Sequence, residues 1–275
     1  MLKESKPNLV LAAVGDESLH RHWMPSPSNS YDLALVYYGD GEGYKSDCKF
    51  YREEKGPKYH LLQNALKQPG LMNYKYIWLP DDDMHATPTD LDRMFEHMKF
   101  FNLSLSQPSI MGWYSLDITL HQKGSLLRFT NFIEIMCPCF SSEALAVCLD
   151  TFKENTTGWS YDALWNVKLG NPRRSIAIID DVVVVHTRPV FSGDLYQNCN
   201  MKNPERDAGK EGGDLFKKHN LKRVERDINH GTPIKGCPTW AVIYEQVSKP
   251  MEENIPKPKR FWPPNLEDFV KELRD

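Results

Sequence analysis

The sequence has no apolar stretch near the ~18 to 20 residues that span a bilayer, and its longest β-branched run is the four valines 182–185. A soluble chain is therefore expected. The lysine-rich start leads into an apolar run over 9–14 that is too short for a signal-peptide core and is closed at once by Gly15-Asp16-Glu17. It reads as a first strand, so no membrane anchor is expected and a cytoplasmic location is implied. Basic charge is not in excess either: 34 Lys and Arg stand against 37 Asp and Glu, a net charge of -3, which leaves no global field to hold nucleic acid. Cysteines are few. The six (Cys48, Cys137, Cys139, Cys148, Cys199, Cys237) are spread through a chain large enough to fold without cross-links, which favours reduced thiols. Cys137-Pro138-Cys139 lacks the second pair of a zinc site.

What is present is an ordinary globular composition, 40% hydrophobic and 26% charged, in a chain that can bury a full core. Two β-rich runs, 8–14 and 32–38, end in Gly-Asp dipeptides, as strands do that stop in turns at one sheet edge. Between 58 and 68 the residues Tyr59, Leu62, Ala65 and Leu66 fall at helical spacing, and Pro69-Gly70 stops the pattern. Tyr76-Ile77-Trp78-Leu79 then reads as a buried strand. Thr89 is placed to cap a helix whose apolar face is Leu91, Met94, Phe95 and Met98. This alternation predicts a single α/β domain with a mostly parallel central sheet flanked by helices, in which ligands sit beyond the carboxyl ends of strands.

Strands are also predicted over 103–110 and 128–136, a helix starting at Ser141 or Ser142, and another opening at 158–162. The runs 176–179 and 182–185 flank Asp180-Asp181 as one interrupted strand or two short ones. Residues 200–236 show little periodicity and read as a loop that forms a lid or is partly disordered. A short terminal helix is expected from Leu266, Phe269, Val270 and Leu273. The division expected is thus a core over 1–199 and a loop-rich extension over 200–275 packed on the same domain.

The chemistry concentrates in Asp81-Asp82-Asp83. Three adjacent carboxylates repel one another unless a cation neutralises them, and alternate residues of an extended turn can aim two carboxylates at one ion, so Asp81 and Asp83 are the natural pair. Hard oxygen ligands of this kind suit Mg²⁺ or Mn²⁺ holding a diphosphate. An isolated acidic turn is commonly just solvated; here the strand before it puts the triplet where a doubly wound sheet binds its ligand. Asp162 sits near the start of a helix and suits a general base, or equally a cap. His186 ends an apolar strand, where a neutral imidazole could be a third ligand or a hydrogen-bonded structural residue. Trp113-Tyr114 and Trp159 with Tyr161 are aromatic enough to stack on sugar rings, though large aromatics are usually core.

Four segments occur in an order that resembles a known family: Leu105-Ser106-Gln107-Pro108, Glu134-Ile135-Met136-Cys137-Pro138, Gly158-Trp159-Ser160-Tyr161-Asp162 and Val182-Val183-Val184-Val185-His186. They are similar to a plant and bacterial family long catalogued as a domain of unknown function, which looks like the GT-A (Rossmann-like) glycosyltransferases, over roughly residues 8–195. The resemblance implies Asp81, Asp83 and His186 at the metal, Asp162 as base and Asp82 near the ribose. It puts Val14, Gly15 and Asp16, with Tyr38 and Asp40, at the uracil and ribose, Lys58 at the diphosphate, and Trp113, Glu134, Trp159 and Tyr161 on the acceptor side. A virus-encoded xylosyltransferase branch that builds capsid-protein glycans looks nearest. It implies UDP-xylose as donor, a fucose-containing N-glycan as acceptor, Mn²⁺ or Mg²⁺, and inversion. The rival readings are a metal-dependent nucleotide-sugar phosphohydrolase and a non-catalytic glycan-binding protein.

Overall fold

The computed structural model describes residues 6–193, 196, 203–221, 232–233 and 241–249. The expected terminal helix, Cys199 and Cys237 lie outside the described residues. Strand β1 (Asn8–Val14) is buried at all seven positions. Its side chains alternate, Leu9, Leu11 and Ala13 entering one apolar cluster and Val10, Ala12 and Val14 the other. A strand covered on both faces has to be apolar in both registers, which is why this run lacks the polar alternation of a surface strand.

Parallel neighbours β2 (Tyr31–Tyr37) and β4 (Tyr76–Trp78) flank β1, and β3 (Phe50–Glu53) extends the parallel side beyond β2. Beyond β4 the short β8 (Cys139–Ser141) lies antiparallel to both β4 and β6 (Leu105–Gly112). β6 therefore runs the same way as β4, and β9 (Ile176–His186) is parallel to β6. The far side is antiparallel: β7 (Ser125–Thr130) on β9, β11 (Val242–Ser248) on β7, β10 (Thr232–Pro233) on β11, with β5 (Met84–His85) beside the end of β9. The fold is thus mixed α/β. Six strands, β1, β2, β3, β4, β6 and β9, deliver their carboxyl ends to one edge.

Helix α2 (Pro88–Phe100) covers one face with Leu91, Met94, Phe95 and Met98. Its cap is Thr87, two residues before the predicted Thr89: Thr87 Oγ1 accepts from the Asp90 amide and Asp90 bonds back, a reciprocal capping box. The opposite face carries α1 (Lys58–Leu66), α3 (Ser142–Cys148), capped by Ser141, and α4 (Tyr161–Lys168). Cys48, Cys137, Cys139 and Cys148 are free thiols, as expected.

Two expectations are corrected. Strand β7 stops at Thr130, so most of the predicted strand 128–136 is a connection to β8. Residues 204–218, read as loop, form helix α5 (Pro204–Lys218), capped by the Asn203 side chain, which accepts from the Arg206 amide at 3.0 Å. Gly209, Gly212 and Gly213 hide that helix in the sequence because glycine opposes helix formation. The Asn203-Pro204 start and the buried Ala208, Gly212 and Leu215 on one face were the available signal.

The runs 176–179 and 182–185 are one strand with an irregularity. Pro108 pairs with Ile179, but Ser109 pairs with Val183. Proline has no N–H for the ladder, and the extra residues on β9 bulge there. Asp180 turns inward, fully buried, where Arg128 Nε and Nη2 donate to its two oxygens at 2.8 and 2.9 Å. The Gln122 amide donates to Asp180, and the Ile118 and Leu120 carbonyls accept from the guanidinium, so four of its five N–H groups have partners. Removing one partner of such a pair strands a buried charge. Arg128→Leu should therefore cost about 3–5 kcal/mol in urea unfolding, and Arg128→Leu with Asp180→Leu should recover much of it; a loss below about 1 kcal/mol for the single variant would refute this role.

Candidate active site

The three aspartates leave the end of β4 and part to three different partners. Asp82 is buried, and its Oδ2 accepts from the Gly15 amide at 2.7 Å and the Tyr38 hydroxyl at 2.8 Å. One carboxylate thus laces the ends of β1, β2 and β4. Gly15 has to be glycine for this approach, since a Cβ there would lie 2.8 Å from the Tyr38 ring. The Val14 carbonyl accepts from the Tyr38 amide at 2.9 Å. Burial, with Asp83 adjoining, pushes the Asp82 carboxyl up to about 6.

Asp81 keeps about a third of its side chain exposed, and its Oδ1 meets the Lys58 ammonium at 2.7 Å. Lys58, the first residue of α1, also donates to the carbonyls of Ile135 and Met136 at 2.9 and 3.0 Å. Its three protons are all used. The lysine expected to reach a diphosphate is here a strap between the acidic turn and the 131–138 connection. Dehydration raises the Asp81 carboxyl against the pull of Lys58.

Asp83 meets His186, where β5 pairs with the end of β9: Oδ2 lies 3.4 Å from the imidazole Nε2. The other ring nitrogen, Nδ1, faces the Trp113 carbonyl at 2.8 Å. Burial would depress the imidazole, but the Asp83 carboxylate overrides it and pushes His186 up to about 9. Asp83 moves down despite its burial, because His186 and Arg188 favour its charge. Its Oδ1 is buried without a hydrogen-bond partner. Asp81, Asp83 and His186 therefore come together at one strand edge, but among the described residues no cluster of three His, Cys, Asp or Glu is arranged as a ready metal cage.

Asp16 and Asp40 lie further out. The Asp16 carboxylate accepts from the Tyr37 hydroxyl and from the amides of Asp40 and Gly41, so it organises the turn after β2. Asp40 is exposed and paired with Lys55 at 2.7 Å.

The other half of the site arrives from the 131–138 connection and the start of α4. Glu134 is buried. Its amide donates to Gln107 Oε1 at 2.6 Å, and its carboxylate accepts from the Ser115 hydroxyl and the Ile135 amide. Asp162 lies in the first turn of α4, half-buried, its Oδ1 accepting from the Ala163 amide at 2.7 Å. Shielding from water, with Glu134 nearby, pushes Asp162 up to about 8. Trp159 stacks on Phe191 at 5.2 Å. Tyr161 is a correction: it is fully buried against Tyr59 and Trp165, its hydroxyl on the Asn155 backbone, so it has no face for a sugar. Trp113 is half-exposed and lines neither cleft described next; its backbone, not its ring, serves the site through His186.

Two clefts meet here. One, about 870 Å³ counted to its open mouth, is lined by Tyr38, Lys58, Asp81 and Asp82. Its neighbour, about 1310 Å³ by the same measure, is lined by Asp162 and one side of α5. Ser115, Glu134, Ile135 and Trp159 face both. Sequence reasoning missed Gln107, Ser115 and Arg188. Gln107 sits in the Leu-Ser-Gln-Pro segment and Arg188 two residues past His186, so both were within reach of a reading that asked what holds Glu134 and offsets the acidic turn.

No family model and no curated protein matches the chain. Solved structures do resemble it, at low identity. TarS of S. aureus aligns at TM-score 0.46 and 11% identity, over 83% of this chain and 46% of that one. A protein of Desulfovibrio desulfuricans G20 assigned as a nucleotide-diphospho-sugar transferase aligns at TM-score 0.42 and 11% identity, over 78% and 96%. The mannosyltransferase PcManGT of Pyrobaculum calidifontis, solved with GDP-Man and Mn²⁺, aligns at TM-score 0.48 and 14% identity, over 69% and 59%. The chain spans less than half the length of TarS.

Proposed function

We propose that the chain is a GT-A-type glycosyltransferase that moves a sugar, with inversion, from a UDP donor to a hydroxyl of a glycan. The observation that carries this reading is the shared wall: the acidic turn lines one cleft, Asp162 the next, and Glu134 and Trp159 face both. In this reading the donor diphosphate lies at the acidic turn and the acceptor beside Asp162. Asp162 takes the proton of the acceptor hydroxyl as its oxygen bonds to the anomeric carbon. The bond from that carbon to the diphosphate oxygen breaks, and its electron pair leaves with the nucleoside diphosphate. Attack from the face opposite the leaving group inverts the carbon. The resemblance of the four sequence segments makes UDP-xylose the first donor to test and a fucose-bearing N-glycan the first acceptor.

Asp81, Asp83 and His186 fit a hard divalent cation, Mn²⁺ or Mg²⁺, in ligand chemistry, and the partnerless buried Oδ1 of Asp83 is an oxygen such an ion would satisfy. When bound, the ion offsets the charge that builds on the departing diphosphate. Lys58 holds Asp81 in place from the other side.

Calorimetry of UDP with Mn²⁺ should show Asp83→Ala binding at least tenfold more weakly than the native protein; equal affinity would sink the metal assignment. Asp162→Asn should lower kcat/KM by about 10²- to 10⁴-fold with UDP affinity preserved. Because a base must be ionised, native kcat/KM should rise with pH through about 8 and then level. The sign for stability is opposite. A raised carboxyl binds its proton more tightly folded than unfolded, so its stabilising contribution, full below about 4, is lost as pH climbs through about 8. Asp162→Asn should therefore gain Tm over the native protein as pH rises across that window, and a Tm difference independent of pH would contradict the assignment. Sugar release at one rate with and without acceptor would point instead to a phosphohydrolase.

A further inference from the structure

Helix α5 carries three glycines within one and a half turns, and they do not share a reason. Gly212 is a packing glycine: a Cβ there would lie 2.7 Å from Ser160 Oγ. Gly209 and Gly213 meet nothing within 4 Å of a built Cβ, and neither has a positive φ. Each opposes helix formation by about 0.8–1.0 kcal/mol relative to alanine with neither close packing nor an unusual backbone to require it. Spaced i, i+4, both fall on the side of α5 that lines the second cleft. What their missing side chains leave is room in that cleft.

The cleft is more than a gap beside small residues. Asp162, Glu134 and Trp159 line it, and it shares its wall with the cleft of the acidic turn. Phe216 adds apolar surface from α5. Lys217 is its basic lining residue; that side chain is mostly exposed and lies 3.8 Å from Asp214. A polyanion would meet two carboxyls and a compensated lysine. A neutral polyhydroxylated ligand would meet hydrogen-bond acceptors, an aromatic face and a backbone it can approach closely. The space, about 580 Å³, falls within the ~300–1,000 Å³ typical of a ligand cleft and admits more than one sugar ring.

We infer that α5 is the outer wall of an acceptor site for neutral oligosaccharides of two or more rings, with Gly209 and Gly213 kept free of side chains so that the chain of rings can lie along the helix. The inference rests on the glycosyltransferase reading and specifies the acceptor class of that site. Glu211 fixes the wall to the rest of the cleft: its Oε2 accepts from the amides of Thr156 and Thr157 at 3.2 and 2.8 Å, in the segment that leads to Trp159 and Asp162.

The test uses fluorescently labelled neutral oligosaccharides of two to five rings, their constituent monosaccharides and sialylated counterparts, with UDP-sugar and Mn²⁺, against the full chain. Gly209→Leu and Gly213→Leu fill the cleft while favouring the helix, and Lys210→Leu, on an exposed position outside the cleft lining, is the control. Neutral oligosaccharides should be used at least tenfold better than monosaccharides or anionic chains. The two glycine variants should raise acceptor KM at least tenfold with the UDP-sugar Kd within twofold, and the control should match the native KM. Four outcomes would overturn the inference: equal use of monosaccharides, preference for the sialylated set, native acceptor KM in both glycine variants, or donor binding without transfer to any acceptor offered. Absence of UDP-sugar binding by the native protein would overturn instead the reading beneath it, and this inference with it.

Discussion

Three carboxylates in succession leave β4 for a turn with little water, and their mutual repulsion would open that turn unless each found its own compensation. They find it in three directions. Asp81 takes the Lys58 ammonium, Asp82 the Gly15 amide and Tyr38 hydroxyl, Asp83 the His186 imidazole. Each partner sits on a different part of the chain, so satisfying the charges also fixes the ends of β1, β2 and β9, the start of α1 and, through Lys58, the backbone at Ile135 and Met136. The site and the sheet edge are one electrostatic construction. Its residual imbalance is the buried Asp83 Oδ1 without a partner.

The two clefts differ in what burial does to their acids. At the acidic turn, opposite charges hold Asp83 ionised despite burial; at α4, with Glu134 close by, the same dehydration raises Asp162. A carboxyl held ionised and one held protonated near neutrality thus sit on either side of a common wall. Glu134, itself raised by burial, belongs to that wall and adds to the push on Asp162.

Much of the frame was legible because it is local. The runs at β1, β2 and β4 are apolar in both registers, and the α1 and α2 faces repeat at helical spacing, so elements and their alternation follow from periodicity alone. The placement of Asp81, Asp83 and His186 at one edge followed from strand ends. What was hidden depends on contacts distant in sequence. Lys58 was expected at the diphosphate, and only the approach of 131–138 adds the Ile135 and Met136 carbonyls to Asp81 as its acceptors. Tyr161 looked like a sugar platform, and only packing on Tyr59 and Trp165 buries it. Asp180 and Arg128 are 52 residues apart, joined by a bulge that Pro108 induces on the neighbouring strand. Helix α5 was lost to its glycines, whose low propensity is outweighed by Ala208 and Leu215 in the core.

That last override separates the two sides of the site. The acidic turn follows β4, a strand inside the sheet paired with β1 on one side and β8 on the other. The opposite wall is a helix held at few points: Glu211 on the Thr156 and Thr157 amides, Lys218 and His219 on Glu154, Gly212 on Ser160. Every one of those points lies within residues 154–160, immediately before Asp162. The helix therefore keeps register with the carboxylate beside it, while Gly209 and Gly213, which also line the cleft, have no packing neighbour at a built Cβ. Substitutions at Gly209 or Gly213 can then reshape the space in front of Asp162 without touching the contacts that hold the acidic turn.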